Sequence, residues 1–393
     1  MKLVVRILVV IIALLVLGYI AVDIVSSPLS EEEGTLAIEK SLVKFLDKYD
    51  EVDNVTLRLY SGASEYDESF VVGSRDNGEP ISVNSPYHIA SIGKTLTTTI
   101  FYMLDEEGIL SVQDPINLYI EEVMLEDLFV YGGGDYSSQV TIEHLLTHTS
   151  GVACFFDGPV VEGYGMQELM IVEPDKYWTP EELIDFSREY QVPVGIPGET
   201  FNYSDTGYML LMLILEKVMG IPYYQVFHDK LFDPLGMRDS YVMLETSPFN
   251  EGTEDILGMK LDGKDISKSK VLSVGRSDGG VVSTTGDLLI FFNALQNGEL
   301  ISQQSFEQMK SFDKIYDKGI MYGSGMMSFN LKELALIFPG LPTIYGGVGT
   351  SGTFMMYDES KDLYIIMNVG VVDMMEESVT QIIKILMIYN QIQ

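Results

Sequence analysis

Cysteine is almost absent: Cys154 is the sole one in 393 residues. No internal disulfide is therefore possible, and Cys154 lies too far along the chain to carry a lipoprotein's lipid. A solitary cysteine of this kind is expected to be a small buried hydrophobe. Basic residues are scarce as well, 24 Lys and Arg against 58 Asp and Glu, for a net charge of −34. Leaving out residues 1–23 removes Lys2, Arg6 and Asp23, so 22 minus 57 gives −35. Such a surface repels nucleic acid and anionic lipid, and no basic run in the sequence offsets it. Nucleic-acid binding is excluded as a function class. Internal repeats and low-complexity tracts are missing too.

What is present is a hydrophobic content of 46%, enough for one large folding unit or two closely packed ones. The N-terminus stands apart. Lys2 and Arg6 precede sixteen uncharged residues, Ile7 to Val22, closed by Asp23. As a helix that run spans about 24 Å, somewhat short of a ~30 Å hydrocarbon core, and Arg6 can snorkel to extend it. The basic flank places the remainder outside the cytoplasm. Ala21-Val22-Asp23 is a poor cleavage site, so residues 1–29 are expected to be an uncleaved single-pass membrane anchor. A cleaved signal, giving a secreted protein, is the alternative.

The densest chemistry lies in Pro86–Gly108. Ser91 and Lys94 are three apart, which on a helix starting at Ser91 puts hydroxyl and amine on one face. The helix dipole and a neighbouring amine would together activate the serine. The pattern S-x-x-K alone carries little, since it recurs at Ser41/Lys44, Ser267/Lys270 and Ser311/Lys314. Only the Ser91 copy runs on into a long uncharged stretch, Thr95 to Leu104. A lysine at the head of a buried helix needs a reason, because an unpaired buried ammonium costs several kcal/mol. Catalysis supplies one.

Elsewhere the pattern is mixed. Ile38, Leu42, Phe45, Leu46 and Tyr49 recur at helical spacing, predicting a helix that ends near Asp50. Val55–Tyr60 alternates and Phe70–Val72 resumes the apolar run, as in an antiparallel hairpin. Residues 110 to about 265 show helix-like runs at Ile142–His148, Pro180–Tyr190 and Tyr208–Met219. Strand character returns at Ile320–Phe329, Thr353–Tyr357 and Leu363–Val369, and an amphipathic helix closes the chain over Glu376–Ile392. Strands at both ends with helices between imply an α/β (α+β) fold, one sheet built from both ends with a helical insertion. The divisions expected are a sheet part, 33–85 and 266–393, and a helical part, 86–265, together forming one unit over 30–393.

Tyr203 lies in Phe201–Tyr208, just ahead of an apolar helix. A tyrosine there is usually a packing group. Beside a lysine ammonium, though, a phenol ionises more readily, so Tyr203 is a candidate general base. With this third residue the chain resembles the serine β-lactamase and penicillin-binding-protein family, in its class C-like branch. The likeness runs from about residue 33 to 372. It rests on Ser91-Ile92-Gly93-Lys94, Leu145–Gly151, Tyr203-Ser204-Asp205, Asp233–Met237 and Gly279–Thr284, in the family's order. The resemblance implies a β-lactamase/transpeptidase-like fold, an antiparallel sheet flanked by helices with an inserted helical domain. It implies acylation of Ser91, with Lys94 and Tyr203 managing its proton and no metal or organic cofactor. Asp205 stands where the family more often has asparagine, an acceptor-only group in place of an amide. The family's third motif, a cation one residue before a glycine, falls on Gly347 when Gly349 is that glycine, so the cation is missing. The oxyanion hole would be the backbone N–H of Ser91 plus one near Thr350.

Two patterns are read as decoys. His144 and His148 have a zinc pair's spacing, yet no glutamate lies between them and a third ligand is lacking. Gly347–Gly352 fits G-x-G-x-x-G, but a β-like run follows where a dinucleotide site needs a helix. These glycines are expected to let a substrate approach an edge strand. The function expected is an exported serine hydrolase acting on a small-molecule or peptide ester or amide. The alternative is a non-catalytic cell-wall-peptide binding or assembly module on the same fold.

Overall fold

The structure is a computed structural model that describes residues 28–276, 280–334 and 340–392. The apolar run Ile7–Val22 and Gly279 of the last signature lie outside those residues. Ser30 opens the first helix, α1 (Glu31–Lys48), with a capping box: its hydroxyl accepts from the Glu33 N–H, and the Glu33 carboxylate accepts from the Ser30 N–H. Ile38, Leu42 and Phe45 face inward, as their spacing predicts. Strands β1 (Asn54–Ser61) and β2 (Tyr66–Gly73) form the expected hairpin. After α2 (Gly93–Glu106) comes the helical region with α3 (Ile142–Leu146), α4 (Pro180–Tyr190) and α5 (Asp205–Met219). Helix α6 (Thr285–Gln296) leads back to the sheet. The other strands of the main sheet and the last helix are β3 (Lys314–Asp317), β4 (Ile320–Tyr322), β5 (Met327–Asn330), β6 (Thr343–Gly349), β7 (Thr353–Asp358), β8 (Leu363–Asn368) and α7 (Met375–Tyr389).

The eight strands form one sheet in the order β3-β4-β5-β6-β7-β8-β1-β2, every neighbouring pair antiparallel. Pairing of β1 with β8 joins the two chain ends, as the strand distribution implied. Helices α1 and α7 pack together on one face over Val55, Leu57, Phe354 and Ile365. On the other face α2 and α6 share a continuous core with the helical region. A boundary at residue 86 therefore cuts through packed side chains, because α2 lies against β6.

Two readings of the sequence change. The apolar run Ile320–Phe329 is two strands, split by a turn in which the Gly323 N–H donates to Met326 O at 3.0 Å. The turn exists because α2 presses on it. The Thr95 hydroxyl donates to Gly325 O at 2.6 Å, and a Cβ on Gly325 (φ +66°) would fall 2.7 Å from Lys94 O. The glycine-rich run is the second change. Gly347 and Gly349 lie on β6, fourth in the sheet and not an edge, and the turn carrying Ser91 packs directly against them. A Cβ on Gly347 would sit 2.8 Å from Thr95 Oγ1 and 3.2 Å from Ile92 Cα; one on Gly349, 2.7 Å from Ile89 O and 2.8 Å from Ala90 Cβ. The turn bearing Ser91 is laid directly on bare backbone. Gly349→Ala is accordingly expected to lower unfolding stability by about 1–3 kcal/mol through overpacking, read from denaturant midpoints; an unchanged midpoint would show that β6 and the turn separate freely.

Candidate active site

Ser91 sits in the single 3₁₀ turn Ala90–Ile92 that leads into α2, so the helix proper starts at Gly93, later than the spacing suggested. The turn is held in an unusual conformation: Ala90, just before the serine, has φ +45°. A non-glycine residue in the left-handed region costs of order 1–3 kcal/mol and persists where its surroundings impose it. Here the Ile89 N–H donates to Val281 O at 3.1 Å, the Thr353 hydroxyl donates to Ile89 O at 3.1 Å, and Gly349 closes the remaining side.

Lys94 Nζ donates to Ser91 Oγ at 3.0 Å. Among the described residues none of the other three S-x-x-K copies makes that bond; Lys314, for one, pairs with Asp313. The stretch Thr95–Leu104 is buried except for Met103, and the Lys94 side chain is 1% exposed. Its partner is Asp205, whose Oδ1 lies 2.6 Å from Nζ. Asp205 is the first residue of α5, where the helix N-terminus favours a carboxylate. The residue before it, Ser204, caps α5 by accepting from the Gly207 N–H. The rings of Tyr203 and Tyr208 lie 4.9 and 5.3 Å from Lys94 Nζ, faces of π-density beside a buried cation.

Cys154 is more than a small hydrophobe. It is buried as expected, but its thiol donates to Asp205 Oδ2 at 3.2 Å. Burial, then the charges of Asp205 and Asp157, push its ionisation well above the usual thiol range. It stays a neutral donor, and both carboxylate oxygens of Asp205 are thus engaged. His148 is the other residue whose place only the structure gives. Burial, reinforced by the charge of Lys94, drives its ionisation well below the usual histidine value. Its Nδ1 accepts from the Ser204 N–H at 3.0 Å, so the proton is on Nε2, which donates to the Tyr322 hydroxyl at 3.0 Å. The ring lies 4.2 Å from that of Tyr203, and the backbone is left-handed (φ +57°). His144 caps α3, its Nδ1 accepting from the Thr141 N–H. Among the described residues no three His, Cys, Asp or Glu side chains converge to hold a metal ion.

Ser91, Tyr203, Asp205, Gly349 and Thr350 line one cavity of about 360 Å³. Gly347 does not reach it, because its α-carbon faces Ile92 and Thr95. The walls are mostly apolar, with Phe155, Met170, Leu272 and Val348 among them. Tyr316 of β3 is a further wall, with its ring 5.9 Å from that of Tyr203. The charged groups on the lining are all acidic: Asp157, Asp205, Asp373 and Glu376; no Lys or Arg lines it among the described residues. Asp373 (φ +69°) is fixed at the cavity wall by its N–H, which donates to Thr350 O at 3.0 Å. Sequence reading missed Asp157, Asp373 and Glu376, which carry no spacing signal and meet only through the fold.

The chain is similar to known proteins in sequence and fold. The beta-lactamase family profile matches residues 44–377. Penicillin-binding protein 4* of Bacillus subtilis is 27% identical over 326 residues, 78% of this chain and 67% of its own. A beta-lactamase of Providencia stuartii is 21% identical over 229 residues, 58% of this chain and 53% of its own. Across the first curated relatives the chain spans 49% to 79% of their length. The D-amino acid amidase of Ochrobactrum anthropi superposes with a TM-score of 0.71 at 24% identity, covering 90% of this chain and 98% of the amidase. EstCE1, a hydrolase with promiscuous acyltransferase activity, does so at 0.69 and 17%, covering 90% and 98%. Profile, fold and the order of motifs agree: the chain belongs to the beta-lactamase family, on an antiparallel sheet flanked by helices.

Proposed function

We propose that the chain is an exported hydrolase that cleaves esters or amides through an acyl-Ser91 intermediate. The observation that carries this reading is the 3.0 Å contact between Ser91 Oγ and Lys94 Nζ at the wall of a cavity. Family membership and the likenesses to an amidase and to a hydrolase support it. A carboxylate 2.6 Å away keeps the proton on Lys94, so the lysine acts as a fixed ammonium. Tyr203 is then the group that takes the proton of Ser91 as Oγ attacks the acyl carbon. It returns that proton to the departing alcohol or amine, and water repeats the sequence to release the acid. The backbone N–H of Ser91 and one near Thr350 would meet the developing oxyanion. Residues 1–29 hold this domain outside a membrane, a reading supported by the Lys2 and Arg6 flank.

The acidic, cation-free lining supports substrates that are neutral or carry an ammonium, such as short esters or D-aminoacyl amides. Carboxylate-bearing β-lactams and D-Ala-D-Ala peptides would find no partner at Gly347. A side chain there has no room, and a hydrogen bond to a charged group is worth ~1.5–3 kcal/mol, or roughly ten- to a hundredfold. A binding module without catalysis would have no need of an amine bonded to the serine.

Two measurements test these statements. A fluorophosphonate probe is expected to label the native protein, Ser41→Ala and Ser311→Ala, and to leave Ser91→Ala unlabelled. Labelling of Ser91→Ala at the native level would remove the nucleophile. In turnover, kcat/KM for a short-chain p-nitrophenyl ester is expected to exceed that for nitrocefin. A nitrocefin advantage above about tenfold, ~1.4 kcal/mol, would show that the missing cation does not govern substrate choice.

A further inference from the structure

The fold gathers bases that the sequence spreads out. Lys40, Lys44 and Lys48 of α1 and Lys384 of α7 rim a groove of about 580 Å³ on the face of the sheet away from Ser91. Its floor includes Phe45, Met387 and Ile388, and no Asp or Glu lines it. The expectation that no basic cluster offsets the acidic surface therefore fails here. Three lysines at four-residue spacing stand in one column about 6 Å apart, and Lys384 reaches the same groove from 336 residues further along than Lys48.

This arrangement is unfavourable for the protein alone. Like charges four apart on a helix repel, and bases are the scarce charge in this chain. Among the described residues none of the four lysines is in an ion pair, whereas Lys176, Lys230, Lys260, Lys268 and Lys310 each are. The Lys48 ammonium donates to the Tyr49 hydroxyl and lies over its ring, which leaves its charge uncompensated. Four exposed ammonium groups over an apolar floor match a layer of anionic headgroups with acyl chains beneath.

The path of the chain identifies the layer. The Leu29 N–H donates to Gln391 O at 2.7 Å, and Gln391 lines the groove. The apolar run ends at Val22, and the six residues between it and Leu29 reach at most about 22 Å however they are arranged. Resting on the reading of Ile7–Val22 as an anchor, we propose that this groove docks on the anionic phospholipid headgroups of the membrane which that run enters. The cavity with Ser91 meets the N-terminal end of α7, at Met375 and Glu376, whereas the groove lies further along it, at Lys384, Met387 and Ile388. A soluble anionic polymer fits less well, since the remainder of the surface would repel it over its length.

The test uses the full-length protein reconstituted with vesicles of phosphatidylcholine alone or mixed with phosphatidylglycerol. Flotation with phosphatidylcholine vesicles reports the anchor by itself. Acetylation of each lysine, followed by mass spectrometry, reports the groove, with exposed Lys217 on α5 as the internal control. Lys40, Lys44, Lys48 and Lys384 are expected to react at least about threefold more slowly with phosphatidylglycerol present, and the protection to vanish at high salt. Flotation without that difference would overturn the groove and keep the anchor. Failure to float on phosphatidylcholine would remove the anchor, and the groove would then stand only if phosphatidylglycerol vesicles still protect these lysines. Protection that grows with protein concentration and needs no vesicles would assign the face to a second copy and overturn the proposal.

Discussion

A lysine ammonium and a carboxylate, 2.6 Å apart and almost sealed from water, are the constraint on which this molecule turns. Each ion loses several kcal/mol of hydration on burial, recovered only where geometry and further hydrogen bonds are good. The protein supplies them from elements far apart in sequence. Lys94 comes from the first turn of α2 and Asp205 from the first turn of α5, so the pair fastens the helix on the sheet to the helical region. Ser91 accepts one ammonium proton, and the Cys154 thiol binds the second carboxylate oxygen. Neutral His148 fixes the backbone at Ser204, directly before Asp205. The bare glycines of β6 allow the turn with Ser91 to lie where Lys94 can reach it.

The pair also decides what the site can do. With asparagine in place of Asp205, the amine would face a neutral amide and lose its proton more readily; with aspartate, the ammonium form is favoured. In the proposed mechanism Lys94 is an electrostatic fixture, and the task of moving a proton falls to Tyr203. The same sign of charge continues outward through Asp157, Asp373 and Glu376. On the proposed reading, such a lining would favour neutral or cationic substrates over anionic ones. Along α7 the charge then reverses, from Glu376 at the cavity to Lys384 at the groove beside the lysines of α1.

Much of this was readable in the chain because it is local. Helical spacing marked α1, a helix-like run marked α4, alternation marked β1, strand character marked β8, and the contrast between the Ser91 copy and its three relatives picked out Ser91 as the candidate nucleophile. What escaped was long-range. Strand β6 hides because Gly346, Gly347 and Gly349 lack strand propensity and are there for close approach. The break between β4 and β5 is imposed by α2, not by local turn chemistry alone. Cys154 and His148 looked like packing groups because their partners, Asp205 and Ser204, lie more than fifty residues away. Lys384 belongs with Lys40, Lys44 and Lys48 only once α7 packs on α1.

The protonation state of Lys94 is the most direct measure of this account. Protein labelled with ¹⁵N at lysine Nζ would be followed by NMR across the pH range of hydrolysis, with the Lys94→Met variant assigning the resonance. The account predicts an ammonium signal, with its attached protons, that persists at the pH where Ser91 is acylated fastest, and that gives way to the neutral amine at lower pH in Asp205→Asn. A neutral amine in the native protein at that same pH would contradict it. Lys94 would then be the base, and Asp205 no more than a packing partner.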